Sequence, residues 1–285
     1  MIRIIGLTGL AMLAFAANSV LARQALGAAQ LDAAGFTAIR LLAGAVTLGL
    51  LVGLSRAASW RQIASLGSAQ QAAALFGYAL AFSLAYVLLG AGMGALVLFV
   101  SVQFGMIARG LIAGDRPGAL EWLGLVVALG AFVYLISPGL SAPDPLGTLL
   151  MVVSGLCWAA YSLLGRGSTR PLTDAAGSFV RCVPFALILL IFGLVWQLPS
   201  PLGVALAIAS GAITSGLGYA IWYAVLPQLT RTRAAVVQLS VPVIAAAIAV
   251  PVLGEAVTPR LLIASIIILG GIAIAIQGAG RRRQL

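Results

Sequence analysis

Two arginines stand where charge is costly. Arg40 and Arg181 are the only charged side chains clearly inside apolar stretches of this 285-residue chain. At 1.5 Å rise per residue, each lies roughly 10 Å from one end of its stretch, the two near opposite membrane faces. An unpaired arginine at such depth costs about 3 kcal/mol even on the lenient scale, so each must face protein or water. Two roles suit them. Helix-end carbonyls or serine hydroxyls can hold each one and lock its helix. Alternatively, the two attract a substrate carboxylate at the two mouths of a path.

The remaining inventory speaks against catalysis. All 16 basic residues are arginine, and the chain has no histidine and no lysine. Ser–His and Ser–Lys nucleophiles are therefore excluded. The only cysteines, Cys157 and Cys182, fall on different stretches and read as small core residues rather than a disulfide. The six acids are Asp32, Asp115, Glu121, Asp144, Asp174 and Glu255, all in breaks or at stretch ends. They form neither a metal site nor an acid/base pair, so we expect no enzyme, no metal and no cofactor. Proton relays within membranes use buried Asp, Glu or His, and none stands at mid-depth here. Glu255 and Asp115 are the only candidates for proton coupling.

What mid-depth does hold is aromatic rings, amides and hydroxyls. The candidate substrate-binding residues are Asn18, Tyr78, Phe82, Phe99, Ser101, Gln103, Trp158, Tyr161, Tyr219 and Gln238, with Arg40 and Arg181 as gate or mouth residues. Tyr78 with Phe82, and Phe99 with Gln103, are spaced four apart and share a helix face. Buried Tyr and Trp need polar partners, which a wet cavity offers. Any single ring could instead be packing filler. Together the set describes an apolar, aromatic cavity with neutral polar groups, suited to a small zwitterion. Phosphorylated cargo would need converging cations.

The elements that position these residues follow from composition. The chain is 62% hydrophobic and 8% charged, with mean hydropathy +1.14. Soluble domains have about 25% charged residues. Ten apolar runs are long enough to cross a bilayer: 4–25, 33–54, 72–89, 93–112, 121–137, 146–164, 175–196, 202–226, 234–253 and 260–277. Links as short as about five residues make neighbours antiparallel. The continuous runs exclude a β-barrel, whose strands alternate in polarity. Residues 1–22 could pass for a signal peptide ending at Val20-Leu21-Ala22, but we read them as the first span, because its ending recurs mid-chain.

The formal charge of +10 is a topology signal, not a nucleic-acid signal. With the N-terminus in the cytoplasm, 12 of the 16 arginines fall inside: 3, 56, 61, 109, 116, 166, 170, 231, 233 and 281–283. Both termini are then cytoplasmic.

The two halves, 1–140 and 141–285, resemble each other. Phe15-Ala16-Ala17-Asn18-Ser19 aligns with Trp158-Ala159-Ala160-Tyr161-Ser162, and Arg23 with Arg166. Asp32-Ala33-Ala34-Gly35 aligns with Asp174-Ala175-Ala176-Gly177, Arg40 with Arg181, and Tyr86 with Tyr219. Gly114-Asp115 aligns with Gly254-Glu255, and Gly130 with Gly270. Five spans per half is odd, so the second copy enters the membrane in the opposite sense, the inverted repeat of many secondary transporters.

Ser240-Val241-Pro242, Leu253-Gly254-Glu255-Ala256-Val257-Thr258 and Gly270-Gly271 then carry a resemblance. The chain resembles the drug/metabolite transporter superfamily of the EamA type, and within it bacterial amino-acid exporters, the aromatic ones included. The first half departs from the pattern, with Gln103 where the second has Pro242 and Asp115 where it has Glu255. The resemblance implies an all-α membrane protein of ten helices, in two inverted five-helix repeats around a central cavity. It also implies export of small metabolites, with amino acids favoured, by alternating access. The reading from the residues adds transport down the substrate gradient. The alternatives are a sugar or nucleotide-conjugate transporter, a drug transporter or a proton-coupled exporter of the same fold. Expected partners are an amino-acid substrate and the lipid bilayer of the bacterial inner membrane, without nucleic acid, in a monomer or weak dimer.

Overall fold

The computed structural model describes residues 2–55, 67–114, 117–137, 142–165, 168–196, 198–229 and 237–282. Arg56, Arg61, Asp115, Arg116, Arg166, Arg231, Arg233 and Arg283 lie outside the described residues. Ten helical segments follow one another, with no strand among the described residues. They are α1 (Ile2–Gly27), α2 (Ala33–Leu54), α3 (Ala69–Leu88), α4 (Ala91–Ile112), α5 (Ala119–Ile136), α6 (Pro145–Leu164), α7 (Pro171–Trp196), α8 (Pro201–Gln228), α9 (Ser240–Leu253) and α10 (Pro259–Arg282). By length and composition, all except α9 can cross a membrane. The expected ninth span, 234–253, starts among residues that are not described.

Local chemistry sets the starts. Asp32 Oδ1 accepts from Gly35 N–H (2.8 Å), Asp144 Oδ1 from Gly147 N–H (2.7 Å) and Ser200 Oγ from Gly203 N–H (2.9 Å). Ser68 and Gln71 form a reciprocal capping box at α3. Each cap satisfies a backbone donor that the helix cannot, at about 1 kcal/mol. Gly114 after α4 and Gly254 after α9, paired in the sequence alignment, both have positive φ (90° and 66°), where glycine is favoured.

Contacts at the helix ends order the bundle. Leu88 and Leu89 close on Gly147, Asp32 on Gly193, and Gly203 on Gln30. These are ends of α3, α7 and α1 meeting starts of α6, α2 and α8. At the opposite end Gly67 meets Asp174, Gly165 meets Gln71 and Gly278 meets Glu121. The link between α3 and α4 is only Leu89-Gly90, shorter than the five residues expected, and both helices pack on α6.

The main pairings are α2 with α7 and α8, α3 with α6 and α7, α4 with α6 and α9, α1 with α8 and α9, and α5 with α10. Exchanging each helix for the one five places away maps this set onto itself. Glycine allows the closest approaches: a Cβ on Gly124 would lie 2.4 Å from Gly271 O, and one on Gly271 2.7 Å from Gly124 O. The faces of α5, α7 and α10 pointing away from the bundle expose Val126, Val133, Ile191 and Ile266. Such a surface suits lipid rather than water.

Candidate functional site

A narrow cavity lies among α1, α3, α4, α6, α8 and the turn before α9. It is lined by Phe15, Asn18, Ser19, Tyr78, Phe82, Leu98, Phe99, Val102, Trp158, Thr214, Ser215, Tyr219 and Gln238. Helices α1, α3, α4, α6 and α8 supply these side chains, together with Gln238 just before α9. Helices α2, α5, α7 and α10 contribute none.

The aromatic wall is continuous. Trp158 lies at its centre, with ring centroids 4.8 Å from Tyr78 and 5.4 Å from Tyr219. From Tyr78 the series runs to Phe82 (5.4 Å) and on to Tyr86 (4.6 Å). From Tyr219 it runs edge-on to Phe15 (5.9 Å). Offset and edge-to-face pairs of this kind each add about 0.5–1.5 kcal/mol beyond area burial. Helices from both halves are thereby joined through rings that also face the cavity.

The polar wall comes from α1 and α8. Asn18 Oδ1 accepts from Ser210 Oγ (2.6 Å) and Thr214 Oγ1 (3.1 Å). Both hydroxyls lie on Ser210–Leu217, a stretch of α8 wound as a π-helix. The wider turn places Ser210, Thr214 and Ser215 toward α1 and α2, and such bulges concentrate at functional sites. Gly211 lets this stretch pass α2 closely, since a Cβ there would lie 2.2 Å from Arg40 O.

Arg40 lies behind the wall rather than at a mouth. It is 2% exposed. Its Nη2 donates to Tyr78 Oη (2.9 Å) and its Nε to Ser215 Oγ (3.4 Å). Its guanidinium carbon is 4.7 Å from the Phe82 ring centre and 5.1 Å from that of Tyr78. No carboxylate pairs with it among the described residues, and its buried Nη1 has no hydrogen-bond partner there. Cation–π contacts and two hydroxyls offset only part of the desolvation of such a charge. Arg181 is half-buried on α7 and engaged with neighbouring groups, away from the lining.

The structure brings together Asn18, Tyr78, Phe82, Phe99, Trp158, Tyr219 and Gln238 of the sequence-derived set. Three others do not line the cavity. Ser101 donates to Val97 O (2.8 Å) and packs on Gly155, at the contact of α4 with α6. Gln103 is buried one turn past Phe99. Tyr161 is buried beside Trp158, one layer behind the wall at 5.3 Å between centroids. Sequence reasoning missed Ser19, Thr214 and Ser215. The run Ser210-Gly211-Ala212-Ile213-Thr214-Ser215-Gly216 was the available signal: three hydroxyls and two glycines inside an apolar span.

The described acids all lie away from the cavity. Glu121 Oε1 accepts from Gly118 N–H (3.1 Å) and both Glu255 oxygens from Ala91 N–H (2.9 and 2.8 Å). With Asp32 and Asp144, they cap helix starts.

Comparison with known proteins agrees with this architecture. The model of the EamA-like transporter family matches residues 145–277. An uncharacterized Pseudomonas aeruginosa protein, PA1977, is 50% identical over 269 residues, covering 94% of this chain and 92% of that one. The threonine/homoserine exporter RhtA of Escherichia coli K12 is 32% identical over 188 residues, covering 63% of this chain and 61% of the exporter. A crystal structure 20% identical in sequence aligns over 95% of this chain and 97% of the other with a TM-score of 0.63, which shows a shared fold. This multi-pass membrane protein belongs to the EamA-like transporter family.

Proposed function

We propose that this chain is a bacterial inner-membrane secondary transporter that exports amino acids, chiefly aromatic and other bulky or neutral ones. The carrying observation is the cavity walled by Tyr78, Phe82, Phe99, Trp158 and Tyr219, with Asn18 and Gln238 as its amides. Flat apolar rings accept side chains of many shapes, and one methylene changes binding by only about 1–3 kcal/mol, so specificity is broad. The exporter name carried by RhtA supports the same substrate class.

Residues 1–140 and 141–285 act as two inverted repeats that exchange roles between inward-open and outward-open states. The packing set that maps onto itself supports this. Both termini are cytoplasmic, so the end of the bundle holding Arg23, Glu255 and Arg260 is the outer one. Export runs down the substrate's own gradient: the described acids lie away from the cavity, and Asp32, Glu121, Asp144 and Glu255 serve as helix caps.

The test is counterflow. Purified protein in liposomes preloaded with unlabelled amino acid should accumulate labelled Phe, Trp, Thr or Met without an imposed pH gradient. Failure to move any of the four refutes the substrate class. Accumulation only with a pH gradient refutes the uncoupled mechanism.

A further inference from the structure

Arg40 carries a charge that the described fold does not answer. Its Nη1 is buried without an acceptor among the described residues, and no carboxylate there neutralises it. Three residues it touches, Tyr78, Phe82 and Ser215, face the cavity. The directions of its hydrogen bonds matter. Tyr78 Oη and Ser215 Oγ both accept from the guanidinium, so each lone pair aimed at Arg40 is taken. Each hydroxyl keeps its own proton to donate, and neither donates to a described residue. Two O–H donors, polarised by a buried cation behind them, thus stand in the wall of a cavity that holds no fixed negative charge among its lining residues. Hydrogen-bond chains of this kind strengthen each other in a low-dielectric interior.

We infer that Arg40 is the positioning residue of a carboxylate-recognition site, in which the Tyr78 and Ser215 hydroxyls donate to the substrate's carboxylate. This deepens the amino-acid reading and rests on it for the rest of the substrate. The cation draws the carboxylate to the polar side of the cavity, against α2 and the π-helical stretch of α8. The substrate side chain then lies against the Phe82–Tyr78–Trp158–Tyr219 rings. Substrates without a carboxylate leave the buried cation unanswered and are rejected, whatever their side chain. The transporter is therefore broad toward the side chain and strict toward the acid group.

The experiment uses the full chain in liposomes and compounds that differ only in the acid group. Counterflow of labelled phenylalanine is competed with phenylalanine against phenethylamine, and with 3-phenylpropionate against 3-phenylpropanol. The carboxylate member of each pair should compete roughly tenfold to a hundredfold better, the range set by a hydrogen bond to a charged group. In Arg40→Gln this ratio should fall to near one, while Arg40→Lys keeps a ratio of several fold. Tyr78→Phe leaves the arginine in place, removes one donor and should lower the ratio. It decides alone if Arg40→Gln does not fold. Equal competition within both pairs by the unaltered chain overturns the site. So does an unchanged ratio in both Arg40→Gln and Tyr78→Phe. If labelled phenylalanine is not exchanged but labelled 3-phenylpropionate is, with the same ratios, the amino-acid reading falls and the carboxylate site stands. Exchange of neither overturns both.

Discussion

Arg23 and Glu255 form an ion pair, Nε to Oε1 at 3.4 Å, that joins helices far apart in the chain. Arg23 Nη1 also donates to Tyr86 O (3.0 Å) and Val87 O (3.1 Å), while the Glu255 carboxylate caps Ala91 N–H at the start of α4. The ends of α1, α3 and α9 and the start of α4 are tied at one point. About a quarter of each side chain is exposed, so the pair itself is worth at most about 1 kcal/mol. Its value lies in which helices it connects.

In the alternating-access cycle proposed above, this tie breaks when the outer end opens. Glu255→Gln removes the charge while keeping a cap for Ala91. In a background without Cys157 and Cys182, a cysteine at Ser19 should then react several-fold faster with an impermeant maleimide added outside. Arg23→Gln should do the same, and the double variant should add little, since the two residues act as one contact. Unchanged labelling in both single variants excludes a closing role.

Asn18 holds two hydroxyls of the π-helical stretch. Asn18→Ala leaves Ser210 and Thr214 without that acceptor and should cost about 1–3 kcal/mol. Thr214 also reaches Ser210 O (2.7 Å), so the greater loss falls on Ser210. Thermal melting in detergent should show a lower midpoint. Asn18→Ala combined with Ser210→Ala should be less destabilising than the sum of the two, because removing both partners leaves no orphan.

Trp158 is the ring on which the wall turns, within 5.5 Å of Tyr78, Tyr161 and Tyr219 by centroid. Trp158→Ala should raise the half-saturating concentration for phenylalanine and tryptophan by roughly tenfold, given stacking worth about 0.5–1.5 kcal/mol plus lost area. The rise for threonine should be smaller, because its side chain has no ring to stack. Trp158→Phe should fall between. Equal losses for all substrates would mean that Trp158 only holds the fold.

The α5–α10 contact tests packing apart from the cavity. Gly124→Leu forces a side chain into Gly271 O and Ala275 N, 2.4 and 2.6 Å from the first added carbon. It should cost at least about 1–3 kcal/mol, the range for overpacking. Gly270→Leu, one residue from Gly271 but with nothing within 4 Å, should be near neutral. Equal midpoints in thermal melts of the two variants would refute the close contact.

Much of the fold was legible because membrane-spanning helices leave simple marks. Each run of about twenty apolar residues ended at a capping Asp or Ser, a proline or a glycine, and the helices begin and end near those signals. The pairing of Gly114 with Gly254 came from sequence alone, and both prove to close a helix with positive φ. Phe82 and Tyr78 could be assigned to one face by their spacing. Ser101 could not be separated from Phe99 in this way: both sit mid-depth on α4, and only the approach of Gly155 decides that Ser101 packs against α6.

The sequence by itself determined that this is a helical membrane protein, poor in catalytic groups, with aromatic rings and amides at mid-depth. Those properties follow from residue type and order along the chain. The tertiary structure alone decided that Arg40 lies behind Tyr78 and Ser215 rather than at a mouth, and that α8 widens into a π-helix opposite Asn18. It also decided that Glu255 closes on Arg23 and the start of α4. The reason is physical. A helix fixes its own hydrogen bonds locally, but a buried charge is answered by whichever groups other helices bring to it, and that depends on contacts between residues up to 232 positions apart in the sequence, as with Arg23 and Glu255 (255 − 23).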